Sequence, residues 1–155
     1  MKMRGFEKIS KEEENEFVML PRRSTSRSAG YDFCSPEDVI IQPNSSYIVK
    51  TGIKAFMMND ECLFIYPRSS VGIKHGVMLK NTVGVIDSDY YNNPDNEGEI
   101  MVALHNTSQK DYILKKGERF CQGVFQKILL SDEDVANDDT TNQKTRSGGI
   151  GSTGN

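Results

Sequence analysis

Arg68, Ser69 and Ser70 stand directly after an apolar run over 62–66 that Pro67 closes. Proline presets the backbone for a helix start, where unpaired N–H groups face outward, so a guanidinium and two hydroxyls placed there make a site for an anion. Asp87 and Asp89 follow a second apolar run over 83–86. A carboxylate at a strand end, facing a phosphate site, can orient and deprotonate a water, provided it is ionised at neutral pH. Residues 145–155 hold Arg146, then Gly148, Gly149, Ile150, Gly151, Ser152, Thr153 and Gly154. Glycines leave backbone N–H groups open to close approach, the hydroxyls add donors, and arginine adds a planar cation suited to phosphate. This is a phosphate-gripping arm and not a Walker loop, because no Gly-Lys-Ser/Thr follows and no helix is left to begin. One turn holds one phosphate; two such sites point to a polyphosphate.

Each stretch also has a plainer reading. Ser69 can cap a helix while Arg68 pairs with a surface acid, and Asp87 and Asp89 can bond their own turn. Tyr90 and Tyr91 can offer a flat face to a sugar or base, or pack in a core. The Gly/Ser tail can be without function. Charge narrows the choice. The chain is net −3, but its acids are segregated: five lie between Lys80 and Lys110 and five more in 130–143, with no Lys or Arg among either group, leaving +7 on the rest. A local cationic site for a small anion fits this distribution; a nucleic-acid-length basic stripe does not. Cys34, Cys62 and Cys121 are odd in number and widely spaced, and His75 and His105 complete no metal-ligand spacing with them, which argues against structural zinc and a disulfide framework. The charged start, MKMRGFEKISKEEE, and the lack of an apolar run near 20 residues predict a cytoplasmic protein without a membrane partner.

The elements that must position these residues are strands. Short β-type runs recur at 29–33, 39–41, 47–50, 53–57, 62–66, 77–79, 83–86, 100–105, 112–114 and 120–128, separated by turn signals such as QPNSS, MNDE and KKGE. The pattern is an all-β barrel or sandwich. Helical periodicity is confined to a turn opened by Ser10 with Glu13 three residues on, in capping-box spacing, and to one after Pro67. At 155 residues and 36% AVILMFWYC, the chain suits one domain with a thrifty core that other subunits can complete. That domain covers 1–130, with 131–155 an acidic connector, predicted flexible, and the Gly-rich arm.

Five segments taken in order carry a resemblance: AGYDF at 29–33, PRSS at 67–70, GVIDSDY at 84–90 with GEI at 98–100, GERFCQ at 117–122, and GGIGSTG at 148–154. Together they resemble the five ordered motifs of the trimeric deoxyuridine triphosphatases (dUTPases), from about Pro21 to the C-terminus. The resemblance implies a single-domain jelly-roll-like β-barrel, a homotrimer with sites between subunits, and hydrolysis of dUTP to dUMP and pyrophosphate with Mg²⁺ held mainly by the triphosphate. It implies Asp32 as a metal contact through water and Arg68, Ser69 and Ser70 as phosphate ligands. Asp87 would be the general base and Gln122 would help hold the attacking water. Asn81, Gly84 and Ile86 would belong to a uracil-reading hairpin, and Tyr90 would stack under the sugar and exclude a ribose 2′-hydroxyl. Arg146, Gly148, Gly149, Ile150, Gly151, Ser152 and Thr153 would close over the substrate, in trans, and Arg119 would form a structural salt bridge.

Two departures stand out. Ile150 replaces the usual aromatic over the base, so it can cover uracil without π-stacking, and one residue fewer than common separates Arg146 from the Gly pair. Between Tyr90 and Gly98 there are seven residues where the family usually has one, which predicts an exposed polar loop. A dCTP deaminase of the same barrel is the rival enzyme, though such enzymes generally lack the Gly-rich last motif. A regulatory protein partner gripping the 92–97 loop is the rival from another class.

Overall fold

The computed structural model describes residues 2–133. The predicted arm, with Arg146 and 148–153, lies outside the described residues. Among the described residues there are eleven strands: β1 (Gly5–Lys8), β2 (Tyr31–Cys34), β3 (Val39–Ile41), β4 (Ser46–Lys50), β5 (Ile53–Phe56), β6 (Glu61–Pro67), β7 (Val77–Leu79), β8 (Gly84–Asp87), β9 (Met101–Asn106), β10 (Tyr112–Leu114) and β11 (Arg119–Lys127). They pair in the orders β2-β11-β6-β8, β4-β9-β7, β1-β5 and β10-β3. Every pairing is antiparallel. The all-β, jelly-roll-like expectation holds.

The alternation that predicts these strands also sorts their faces. Along β9 the side chains alternate, with Val102, Leu104 and Asn106 buried and the residues between them half-buried, as a period-2 strand over a core requires. Phe33, Ile41, Leu63, Ile65, Leu79, Leu104, Leu114 and Phe120 fill that core and are at most 2% exposed. Each such side chain contributes roughly 1.5–3 kcal/mol by leaving water. Asn106, the buried polar end of β9, is satisfied by donating through Nδ2 to the carbonyls of Ile41 and Lys110, so no desolvation penalty remains. No helix among the described residues is long and apolar enough to cross a membrane.

Several local expectations are corrected. β1 is not legible in sequence because GFEK carries one large apolar residue; Phe6 earns the strand by packing on Tyr31, Phe33 and Phe125. The turn at Ser10–Glu12 is a single 3-10 turn whose preceding residue is Ile9, and no side chain caps it. Ser10 instead donates through both its backbone N–H and its hydroxyl to Glu97, so a long-range partner displaces the capping box. β7 pairs with β9 and β8 with β6, and the segment between them is a tight turn joining two sheets. It is closed by Thr82 N–H to the Leu79 carbonyl.

Candidate active site

The four-stranded sheet carries four of the predicted motifs and brings three of them together. In its register Gln122 on β11 lies opposite Asp32 on β2 and opposite Tyr66 on β6, so residues about ninety positions apart in sequence form one row across three strands. Arg68 follows immediately beyond β6. Its Nε stands 3.1 Å from Asp32 Oδ1, and its backbone N–H is bonded to the Phe120 carbonyl. Asp32 Oδ2 accepts from Ser24 Oγ at 2.6 Å and faces Arg119 Nη1 at 3.3 Å. A register shift on β11 between Arg119 and Cys121 is the kind of bulge that re-aims a side chain, here the guanidinium that meets Asp32. The predicted Arg119 salt bridge is present.

Ser24, Asp32, Arg68 and Gln122 line one open cleft of about 380 Å³, together with Ser28, Gly30, Ser69 and Ser70. Ser69 stands at the start of a five-residue π-helical turn, Ser70–Lys74, and makes no capping hydrogen bond. The capping alternative for Ser69 is therefore not realised. Gly30 is buried against Gln122: a Cβ there would meet the Gln122 Cβ at 3.0 Å and its amide oxygen closer still. Only glycine lets the Gln122 amide lie where it does, with Nε2 3.4 Å from the Pro67 carbonyl.

Asp87 is elsewhere. It ends β8, opposite Cys62 on β6, four positions along β6 from Tyr66, which at about 3.3 Å per residue is about 13 Å. It does not line the Asp32 cleft. Asn81 is exposed on the turn before β8, and Gly84 and Ile86 are half-buried within it. The Cys62 thiol is pushed up in pKa by burial and then by the charge of Asp87, which keeps it a protonated neighbour and not a nucleophile.

Tyr90 closes the 3-10 turn Ser88–Tyr90 and is 5% exposed. Its hydroxyl donates to the Glu99 carbonyl and accepts from Asn96 Nδ2, each at 2.8 Å. Tyr91 turns the other way, donating to Glu7 at 2.6 Å and packing on Phe56. That hydrogen bond, then burial, raises the pKa of its phenol. The loop after Tyr91 is not the free exposed loop that its polarity predicts. Asn93 is 5% exposed, and Glu97 is tied to Ser10 and to Lys54 Nζ at 3.3 Å. Lys54 also donates to Asn92 at 2.7 Å. The loop's polarity alone suggests a solvated segment, because its partners, on β5 and near β1, are some forty and ninety positions away.

Among the described residues no group of three His, Cys, Asp or Glu side chains could hold a metal ion. Asp32 is a hard oxygen donor beside the cationic cleft, so it fits a divalent cation whose main ligands are substrate oxygens and water.

A family model described as dUTPase matches residues 16–154. The chain is 45% identical over 154 residues to the deoxyuridine 5′-triphosphate nucleotidohydrolase of Lactococcus lactis, covering 99% of each. It is 38% identical over 139 residues to the enzyme of that name from Paramecium bursaria Chlorella virus 1, covering 90% and 92%. The crystal structure of dUTPase from Streptococcus mutans superposes with a TM-score of 0.76 at 44% identity, over 83% of this chain and 98% of that one. The dUTPase of Staphylococcus aureus phage phi11 shares the fold at 17% identity, with a TM-score of 0.71, over 91% of this chain and 100% of that one.

Proposed function

The chain belongs to the dUTPase family, and on that premise we propose that it hydrolyses dUTP to dUMP and pyrophosphate at sites shared between the subunits of a homotrimer. The observation that carries the shared site is a separation. Asp32, Arg68, Ser69, Ser70 and Gln122 line one cleft, whereas Asp87 ends a strand about 13 Å further along β6. A carboxylate side chain cannot reach across that gap, so the base that serves one cleft belongs to a neighbouring copy. Exposed apolar side chains support assembly: Ile40 on β3 and Ile113 on β10 are cross-strand partners, 63% and 52% exposed, a pair that a subunit interface would cover.

In this reading Arg68, Ser69 and Ser70 bind the phosphates, and the Arg68 guanidinium supplies charge-assisted hydrogen bonds that persist as negative charge develops. Asp87 takes a proton from a water positioned with the help of Gln122. The new bond forms between that oxygen and the α-phosphorus, the bridging oxygen leaves with the β-phosphate, and pyrophosphate carries away the electron pair. Mg²⁺, when bound with the triphosphate, offsets charge on its oxygens, and Asp32 would meet it through water. Asn81 and the backbone of Gly84 to Ile86 would read uracil, rejecting cytosine by leaving buried donors and acceptors unmatched. Tyr90 would exclude the ribose 2′-hydroxyl. Arg146, Gly148, Gly149, Ile150, Gly151, Ser152 and Thr153 would close over the nucleotide from a neighbouring subunit.

A regulatory protein partner would have Pro94 and Asp95 of the loop to grip, because Asn92, Asn93, Asn96 and Glu97 are committed to this chain's own contacts. Hydrolysis stands without it. The test is pyrophosphate release from dUTP, dCTP and UTP in parallel, with ammonia measured alongside. Release from dUTP alone is expected. Ammonia from dCTP would replace the assignment with a deaminase of the same barrel.

A further inference from the structure

The residues inserted between Tyr90 and Gly98 fold back onto Tyr90. Asn93 Nδ2 donates to the Tyr90 carbonyl at 3.0 Å and to Asn96 Oδ1 at 2.7 Å. Asn96 Nδ2, so oriented, donates to the Tyr90 hydroxyl at 2.8 Å. The same Asn96 Oδ1 accepts from the Gly98 N–H, and Asn93 Oδ1 accepts from the N–H groups of Asp95 and Asn96. Every polar atom of the two amides is therefore used, and their direction is fixed. The loop ends in close contact with Tyr90: Gly98 lies at φ +84° with its Cα against the Tyr90 carbonyl, where a Cβ would come within 2.5 Å. Beside it Glu97 is held by Ser10 and Lys54.

We infer that Asn96, oriented by Asn93, is a positioning residue that fixes the Tyr90 ring through its hydroxyl and so sets how strictly the sugar is read. This rests on the reading of Tyr90 as the sugar gate. A tyrosine held by one hydrogen bond at its hydroxyl can still swing its ring about Cα–Cβ while that bond pivots; a second partner on the same oxygen fixes where the oxygen sits and so limits the swing. With the amide donating to that oxygen, the Tyr90 O–H donates to the Glu99 carbonyl. The insertion is then a clamp on the gate and not an appendage of the hairpin end.

The test is a double-mutant cycle on the full chain, reading kcat/KM for dUTP and for UTP. Asn96→Ala is expected to lower the dUTP-to-UTP preference about three- to tenfold, the effect of one lost neutral hydrogen bond, with KM for dUTP moving more than kcat. In a Tyr90→Phe background the same substitution should change the preference no further, because the hydroxyl through which Asn96 acts is gone. Asp95→Ala, at an exposed position of the same loop, should leave the preference unchanged and controls for loosening of the loop. An unchanged preference in Asn96→Ala, or an equal drop in both backgrounds, overturns the clamp while leaving the gate intact. If Tyr90→Ala leaves the preference unchanged, the gate reading fails, and the clamp with it.

Discussion

At one end of the four-stranded sheet, hydrogen-bonded neighbours bring Asp32, Gln122 and Tyr66 into a row; at its outer strand, Asp87 ends β8 with β6 as the neighbour. The first region is assembled from three strands that are far apart in sequence, and its charges are already paired: Arg68 and Arg119 on Asp32, with Ser24 between them. The second is assembled from one continuous stretch, running from the turn at Asn81 through β8 and the turn Ser88–Tyr90 into the loop that ends at Gly98. Under the proposed function the first region is the phosphate site, with its charges already paired within one chain, and the second supplies the base, so that each is one half of a shared centre.

The largest effect expected bears on whether the halves meet across subunits. Asp87→Asn should keep dUTP binding by calorimetry and lose about 10²–10⁴ in turnover, the usual worth of a positioned base, and Arg68→Ala should be nearly inactive at low substrate. When the two variants are unfolded and refolded together, activity should return, from sites that take Asp87 from one chain and Arg68 from another. Mixed trimers confirmed by native mass yet still inactive would place both halves in one chain and erase the distinction.

Next in size is the loss of phosphate grip alone. Arg68→Ala should weaken dUTP by about 1.5–3 kcal/mol, as for a charged hydrogen bond, and leave deoxyuridine binding as it was. Equal losses for both ligands would show that the cleft reads the nucleoside and not its phosphates.

A subtler change tests whether the cleft is prebuilt. In Gly30→Ala the new methyl occupies the place of the Gln122 amide, so kcat should fall about tenfold, since small misplacements of positioning groups are costly, with KM altered less. Unchanged kcat would mean that Gln122 does not need its present position.

The smallest effect lies in the second region and depends on pH. The Ser10 hydrogen bonds, and then Lys54, hold the Glu97 carboxyl below its usual range. Folded Glu97 therefore keeps its charge to lower pH than it does unfolded. Its contribution is present above about pH 4.3, the ordinary glutamate value, and is lost as pH falls through the lower folded value. Wild-type Tm should drop more steeply than that of Glu97→Gln between about pH 5 and pH 3. Parallel curves would mean that the loop is docked by something other than this carboxylate.

Much of the fold is legible without coordinates. β3, β7 and β10 fall at the predicted residues, and the other predicted strands shift by one or two positions at their ends, because alternating apolar residues between turn signals leave few other choices. β1 escaped because its stability comes from Phe6 packing on three rings contributed by β2 and β11, which no local pattern records. The capping-box spacing at Ser10 misled because a carboxylate 87 positions away offered better partners.

The residue types at 32, 68–70, 87 and 122 are chemistry written into the sequence: a guanidinium, hydroxyls, carboxylates and an amide name the kind of ligand they suit wherever they stand. Their order along the chain also determined the family. Distance was not in it. Residues 32, 66 and 122 become neighbours, and 87 does not, only through strand register, which is fixed by which faces of β2, β11, β6 and β8 must be buried together. Tertiary structure likewise decided the fate of the insertion at 91–97, since a polar loop is solvated or docked according to the partners that distant strands bring to it, and here Ser10 and Lys54 are waiting.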